Sequence, residues 1–204
     1  MLLIDRHYFK PSKDARVLAI LDALTRDNSI SQVELGRQMN LSGAMVNQYL
    51  KELHDTDMVR FEAVNGKSYR YLLTDQGERR RRQLFSAYSS ETIQIYTALK
   101  NAILGKLDPL LEKGLLKLAL FGASETCEVT LSALRDTPFQ ILTLLDNDPA
   151  KQGSMFHGYV IAPPDVLDTI ACQAVVITSF GGQEEIYQQL APIGHSKGLE
   201  IVKL

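Results

Sequence analysis

Residues 30–74 read ISQVELGRQMNLSGAMVNQYLKELHDTDMVRFEAVNGKSYRYLLT, and this stretch decides the fold of the first half of the chain. Ser31 and Glu34 have the S-x-x-E spacing in which a hydroxyl and a carboxyl each satisfy an orphan amide at a helix start. Leu35, Met39 and Leu41 then turn toward a core. Asn40-Leu41-Ser42 predicts a sharp turn, with Ser42 capping the next helix. In that helix Val46, Leu50 and Leu53 fall at i, i+4 and i+7, one buried stripe. Val59, Phe61 and Ala63 alternate with Arg60 and Glu62, the pattern of a half-buried strand. Asn65-Gly66 is the strongest short hairpin signal, because a type I′ turn needs positive φ at both positions. Tyr69, Tyr71 and Leu73 share one face of the returning strand.

Working outward, residues 14–28 predict a helix with Val17, Leu18, Leu21 and Leu24 on one face, ended by Asn28 and Ser29. Thr74 or Asp75 caps a helical stretch over residues 76–106, in which Tyr96, Leu99, Ile103, Leu107 and Leu110 follow helical spacing. Ser89-Ser90 is a candidate break. Asp108-Pro109 reads as a new N-cap and first helical residue, and Gly114 as a stop. Residues 89–115 are therefore read as a helical linker and dimerisation segment, whose stripe serves either a second chain or its own domain. From Leu116 strands and helices alternate. Residues 116–121, 139–145, 159–161, 174–178 and 200–202 have strand character; residues 124–135, 164–171 and 183–190 are helical. That order predicts a small α/β doubly wound domain with a parallel sheet over residues 116–204.

The chain has 204 residues, 45% hydrophobic and 23% charged, and is ordinary for a soluble globular protein. No apolar run approaches the roughly 18 residues that span a membrane. MLLIDRHYFKPSKD lacks a signal-peptide core, and two cysteines make no disulfide framework. Cytoplasmic residence is expected. Residues 1–88 hold 14 Lys and Arg against 11 Asp and Glu, net +3; residues 89–204 hold 8 against 13, net −5. A basic front joined to an acidic back suits a nucleic-acid-binding domain followed by a separate domain.

The second helix of the opening stretch carries Ser42, Gly43, Ala44, Asn47, Gln48 and Lys51 opposite its buried stripe. Asn and Gln pair bidentately with adenine in the major groove, and Lys51 reaches a phosphate or guanine. Small residues at Gly43 and Ala44 let the helix start approach a phosphate. Lys67 and Arg70 follow the Asn65-Gly66 tip, within reach of a phosphate or the minor groove. Four successive arginines, Arg79 to Arg82, point all around a helix, so only one or two could touch DNA. On these residues, positions 15–83 resemble the winged helix-turn-helix domains of bacterial, broadly MarR-like, regulators. LSGAMVNQYLKELHDTDMV matches their capped recognition helix and wing entry; YRYLLTDQGERR matches the wing exit, where Leu-Thr-x-x-Gly starts the next helix. The resemblance implies an α+β winged helix domain over residues 1–88 with double-stranded DNA as partner.

LKLALFGASETCEV places Gly122 where a first strand turns into a first helix. Of the three glycine positions of a dinucleotide fold only this one is glycine. Ser124 can still donate to a phosphate, while Glu125 opposes it and Cys127 fills the third position. Asp146 ends the second strand 24 positions after Gly122, a distance at which an acid commonly holds ribose hydroxyls. The string DNDPAKQGSMFHGYVIAPP resembles the small Rossmann-like domains at the front of sugar-nucleotide-modifying proteins, with Asp-x-Asp-Pro-x-Lys-x-Gly followed by a strand opening at Gly158-Tyr159-Val160. ITSFGGQEEIYQQL fits the same pattern. The resemblance implies a ligand crevice at Gly122, Ala123, Ser124, Asp146 and Ser179, with a nucleotide-sugar or NAD(H) as the small-molecule class.

The histidines His7, His54, His157 and His195 lack metal-ligand spacing; His157 beside Gly158 reads as surface. Cys127 reads as a packed small residue, and Glu184-Glu185 as a solvated helix start. No catalytic constellation assembles, so the chain is expected not to be an enzyme. The reading is a homodimeric, ligand-responsive transcription regulator, with surface-polysaccharide genes as a target by analogy. Two alternatives stay open: a NAD(H)-responsive repressor of Rex-like architecture, and a sugar-nucleotide enzyme fragment with a DNA-binding appendage.

Overall fold

Three serines start the first three helices. Ser12, Ser31 and Ser42 hold extended backbone, and their hydroxyls accept the N–H groups of Ala15, Glu34 and Met45 at 3.1, 3.1 and 3.3 Å. The helices are α1 (Lys13–Arg26), α2 (Gln32–Met39) and α3 (Gly43–Asp55). The computed structural model describes residues 12–65 and 68–204. Two compact units divide the chain, Met1–Ile93 and Gln94–Leu204.

In the first unit the α2–α3 turn is set by Asn40, in the left-handed region at φ 53°. Leu41 N–H bonds the carbonyl of Gly36 at 2.8 Å, and a Cβ on Gly36 would meet Leu41 O at 2.8 Å, so only glycine fits there. The reciprocal half of the expected capping box is not made. The Glu34 carboxylate instead takes the fork of Arg37 at 2.7 and 2.8 Å and the amide of Gln38, which hold its pKa down to about 2. Strands β1 (Val59–Asn65) and β2 (Ser68–Leu73) pair antiparallel from Val59↔Leu73 to Asn65↔Ser68. Leu18, Ile20, Leu21, Leu24, Leu35, Val46, Leu50, Leu53, Val59 and Tyr71 form one core.

Helix α4 runs unbroken from Asp75 to Glu112. Thr74 starts it, accepting Gly77 N–H at 3.0 Å while donating to Asp57 O at 2.6 Å. Ser89-Ser90 is no break, and Asp108-Pro109 is no new start. Pro109 sits inside the helix, where the buried side chains Ile103, Leu107 and Leu110 on either side of it anchor the turns in the core of the second unit. Their burial outweighs the roughly 3 kcal/mol that an interior proline costs. Earlier in the helix, Leu84 and Tyr88 belong to the core of the first unit. Gly114, at φ +69°, ends the helical segment as expected.

The second unit holds a sheet ordered β5-β6-β4-β3-β7-β8. Its strands are β3 (Lys117–Phe121), β4 (Gln140–Leu145), β5 (Met155–Phe156), β6 (Tyr159–Ala162), β7 (Ala174–Ile177) and β8 (Glu200–Lys203). Five are parallel; β5 is antiparallel to β6 and makes the sheet mixed rather than purely parallel. The C-terminal part of α4 and helix α5 (Glu125–Leu134) cover one face, and α6 (Gln183–Lys197) covers the other. The helix expected over residues 164–171 is only a short 3₁₀ helix, Pro164–Asp168, whose Leu167 is its one fully buried anchor. The second unit is an α/β domain.

Candidate functional site

Helix α3 buries Val46, Leu50 and Leu53 and leaves Gly43, Ala44, Asn47, Gln48 and Lys51 exposed, with Ser42 exposed at its cap. The 3.6-residue period separates the two sets onto opposite faces. The exposed set carries two carboxamides, one ammonium and two residues with little or no side chain at the helix start. That is a surface able to enter a groove and hydrogen-bond base edges. Lys13 on α1 pairs with Glu52 of α3 at 2.9 Å, so the acid beside the polar face is answered within the unit.

In the wing, Arg70 is exposed on β2 opposite Glu62 of β1. Lys67 lies outside the described residues. The arginine run divides by role. Arg80 pairs with Asp14 of α1 at 3.2 Å, and Arg81 joins Asp22 of α1 at 2.9 Å to Glu78 at 2.8 Å. These two arginines tie the start of α4 to α1.

In the second unit the five predicted crevice residues come together around the C-terminal end of β3. Gly122 has φ +104°, and a Cβ there would meet Ser179 Cβ at 3.0 Å. Ser124 donates to Thr178 O at 3.4 Å. Asp146, buried at the end of β4, accepts Ala123 N–H at 2.9 Å, Asp148 N–H at 2.9 Å and the Lys151 ammonium at 3.0 Å. Burial alone would raise its pKa. The Asp148 amide, the Lys151 ammonium and the Ala123 amide outweigh burial and hold it below the ordinary carboxylate value. Cys127 is fully buried in the core, and burial pushes its thiol up to about 11.

Residues 13–60 match the family model for winged helix-turn-helix DNA-binding domains. The first unit is a winged helix-turn-helix domain. Residues 114–199 match a second family model, C2185-like, N-terminal. Among solved structures, a MarR family protein of Mycobacterium tuberculosis in complex with salicylic acid is similar at 21% identity, over 48% of this chain and 74% of that one, with a TM-score of 0.37. The PcaV transcriptional regulator of Streptomyces coelicolor is similar at 19% identity, over 50% and 77%, also at 0.37. UDP-D-quinovosamine 4-dehydrogenase of Vibrio fischeri is similar at 20% identity, over 43% and 76%, at 0.37. Among curated proteins nothing matches the chain. No helix among the described residues is long and apolar enough to cross a membrane.

The winged helix thus exposes every described residue that sequence reasoning assigned to DNA. In the α/β domain the structure also brings Lys151, which that reasoning did not single out, beside Asp146. Its signal was present in Asp146-x-Asp148-Pro149-x-Lys151-x-Gly153, where the turn is closed by Ala150 N–H on Asp148 Oδ1 at 2.9 Å and Lys151 is returned toward Asp146. His157 lies in the β5–β6 turn, near Glu128, and not at the crevice.

Proposed function

We propose that this chain is a transcription regulator that reads DNA as a homodimer through its winged helix, and that its α/β domain responds to a nucleotide or nucleotide-sugar. The observation that carries the first part is the exposed face of α3, with Asn47, Gln48 and Lys51 backed by a fully buried Val46, Leu50 and Leu53. A single recognition helix reads too few base pairs for useful specificity, which favours two half-sites and a dimer. Helix α4 offers a surface for the second copy: Phe85, Ile93 and Ile95 are 55%, 64% and 63% exposed.

The ligand reading is supported by strand order. Counting only the five parallel strands and leaving out β5, β6-β4-β3-β7-β8 is 3-2-1-4-5, the order of the Rossmann-like doubly wound fold, and in such sheets ligands sit beyond the carboxyl ends of the strands at the switch point. Asp146 and Lys151 carry the two charges a nucleotide needs, a carboxylate for ribose hydroxyls and an ammonium for phosphate. Here they satisfy one another, so binding exchanges an internal ion pair for two contacts to the ligand and is expected to be weak. Selection of DNA by the full chain from a random pool tests the regulator reading. The expected result is an inverted repeat with half-sites about 10–10.5 bp apart or a multiple of that; a pool that never enriches contradicts it.

A further inference from the structure

We propose that the DNA this chain selects carries adenine·thymine pairs at the core of each half-site, read by Asn47 and Gln48 through adenine N6 and N7. The inference rests on the regulator reading and extends it to the identity of the bases. Ala44, Asn47, Gln48 and Lys51 stand at i, i+3, i+4 and i+7 of α3, and all four are exposed. That spacing puts them in one stripe along the helix. From Ala44 to Lys51 the stripe is roughly 10 Å long, about three base-pair steps. Its start stands clear of the rest of the unit, because Gly43 is exposed and a Cβ there would meet nothing within 4 Å.

The chemistry of the stripe selects the bases. A carboxamide holds a donor and an acceptor side by side, the complement of N6–H and N7 on the major-groove edge of adenine. Two such groups stand next to one another at the middle of the stripe. Ala44 adds a methyl, and the thymine C5-methyl is the apolar group on the same edge of the pair.

The other base pair is poorly served. Guanine presents two acceptors, O6 and N7, which arginine or lysine takes. Helix α3 has no arginine, and its basic residues are Lys51 and His54. His54 is engaged with the hairpin, with Nδ1 3.1 Å from Val59 O and its ring stacked on Phe61 at 4.5 Å. That leaves Lys51, at the far end of the stripe, as the guanine reader of the helix. Cytosine presents a donor, which a carboxylate takes. The Glu52 carboxylate takes the Lys13 ammonium at 2.9 Å. Asp55 is the last residue of α3, one turn beyond Lys51, whereas recognition helices of this kind read bases with their N-terminal residues.

Selection of DNA by the full chain from a random pool, followed by affinity measurements with 7-deazaadenine placed singly in the selected site, tests the inference. The analogue keeps N6 and the base pairing and replaces N7 by C–H, so it removes one acceptor of the bidentate contact. At the core adenines it is expected to weaken the wild-type chain about tenfold. Asn47→Ala is expected to lose that sensitivity at one adenine and Gln48→Ala at another. Guanine·cytosine pairs at the positions whose preference these variants relax, variants that relax no position, or an analogue effect of the same size in the variants and the wild type would each overturn the inference. In the first of these outcomes the regulator reading stands without it, whereas a pool that never enriches would overturn both.

Discussion

Lys151 Nζ lies 3.0 Å from Asp146 Oδ2 and 3.1 Å from the carbonyl oxygen of Ala123. One ammonium thus joins the end of β4 to the first turn after β3, across the place where a nucleotide would lie. If the crevice takes a nucleotide, that ammonium moves from Asp146 to phosphate. UDP-N-acetylglucosamine and NADH titrated into the full chain are expected to give affinities on the order of micromolar or weaker. Asp146→Ala is expected to abolish the heat while leaving DNA affinity unchanged. A wild-type chain that gives no heat with either compound contradicts the nucleotide reading.

The same carboxylate makes the α/β domain acid-sensitive. The folded pKa of Asp146 is depressed, so its contribution to stability is fully present above the unfolded value of about 3.9 and is lost as pH falls through the lower folded value. Urea denaturation is expected to show stability falling on acidification below about pH 4, and Asp146→Asn should flatten that part of the profile. An Asp146→Asn profile identical to wild type would show that the acid sensitivity lies elsewhere.

Gly77 is required where α4 leaves the wing. A Cβ on Gly77 would overlap the carbonyl oxygen of Met58, which is backbone and cannot swing away. Gly77→Ala should therefore destabilise the winged helix by about 1–3 kcal/mol, the usual cost of forced overpacking. Gly105 lies in the same helix, and a Cβ there meets nothing within 4 Å. Gly105→Ala is expected to be neutral or to stabilise by up to roughly 1 kcal/mol. Denaturant midpoints that move alike for the two variants would contradict this assignment.

The winged helix was legible because each of its devices is local. Ser31, Ser42, Asn40 and the Leu-Thr-x-x-Gly start of α4 act within a few residues, and the stripes Val46-Leu50-Leu53 and Val59-Phe61 show their period directly. The approach of Gly122 and Asp146 to one another was legible for a similar reason, since they mark the ends of two apolar runs. What the sequence could not show depends on distant packing. Pro109 reads as a helix start, and only the burial of Ile103, Leu107 and Leu110 in the second core carries the helix through it. The two-residue strand β5 is too short to have a period, and appears only through its pairing with β6. The ion pairs of Arg80 and Arg81 are invisible in the sequence because their acids on α1 lie more than fifty residues earlier.

The dimer proposal now rests on a different part of α4 from the one its apolar stripe first indicated. Ile103 is 2% exposed in the core of its own unit, so Ile103→Lys should unfold that unit rather than separate two chains. Ile93→Lys with Ile95→Lys is expected to give a folded monomer by sedimentation, with reduced affinity for a two-half-site operator. A wild-type chain that sediments as a monomer at micromolar concentration contradicts the dimer.

The affinity of Gln48→Ala and Asn47→Ala for a selected operator decides whether the exposed face of α3 reads base sequence. Each substitution is expected to cost about 1–3 kcal/mol on the selected site and to relax preference at the bases it contacts, while affinity for unrelated DNA stays unchanged. Lys51→Ala and Arg70→Ala serve as the contrast, and a residue among them that contacts phosphate should weaken binding to all sequences and lower the salt dependence. If Gln48→Ala and Asn47→Ala both bind the selected operator with wild-type affinity and wild-type preference, α3 is not the recognition helix.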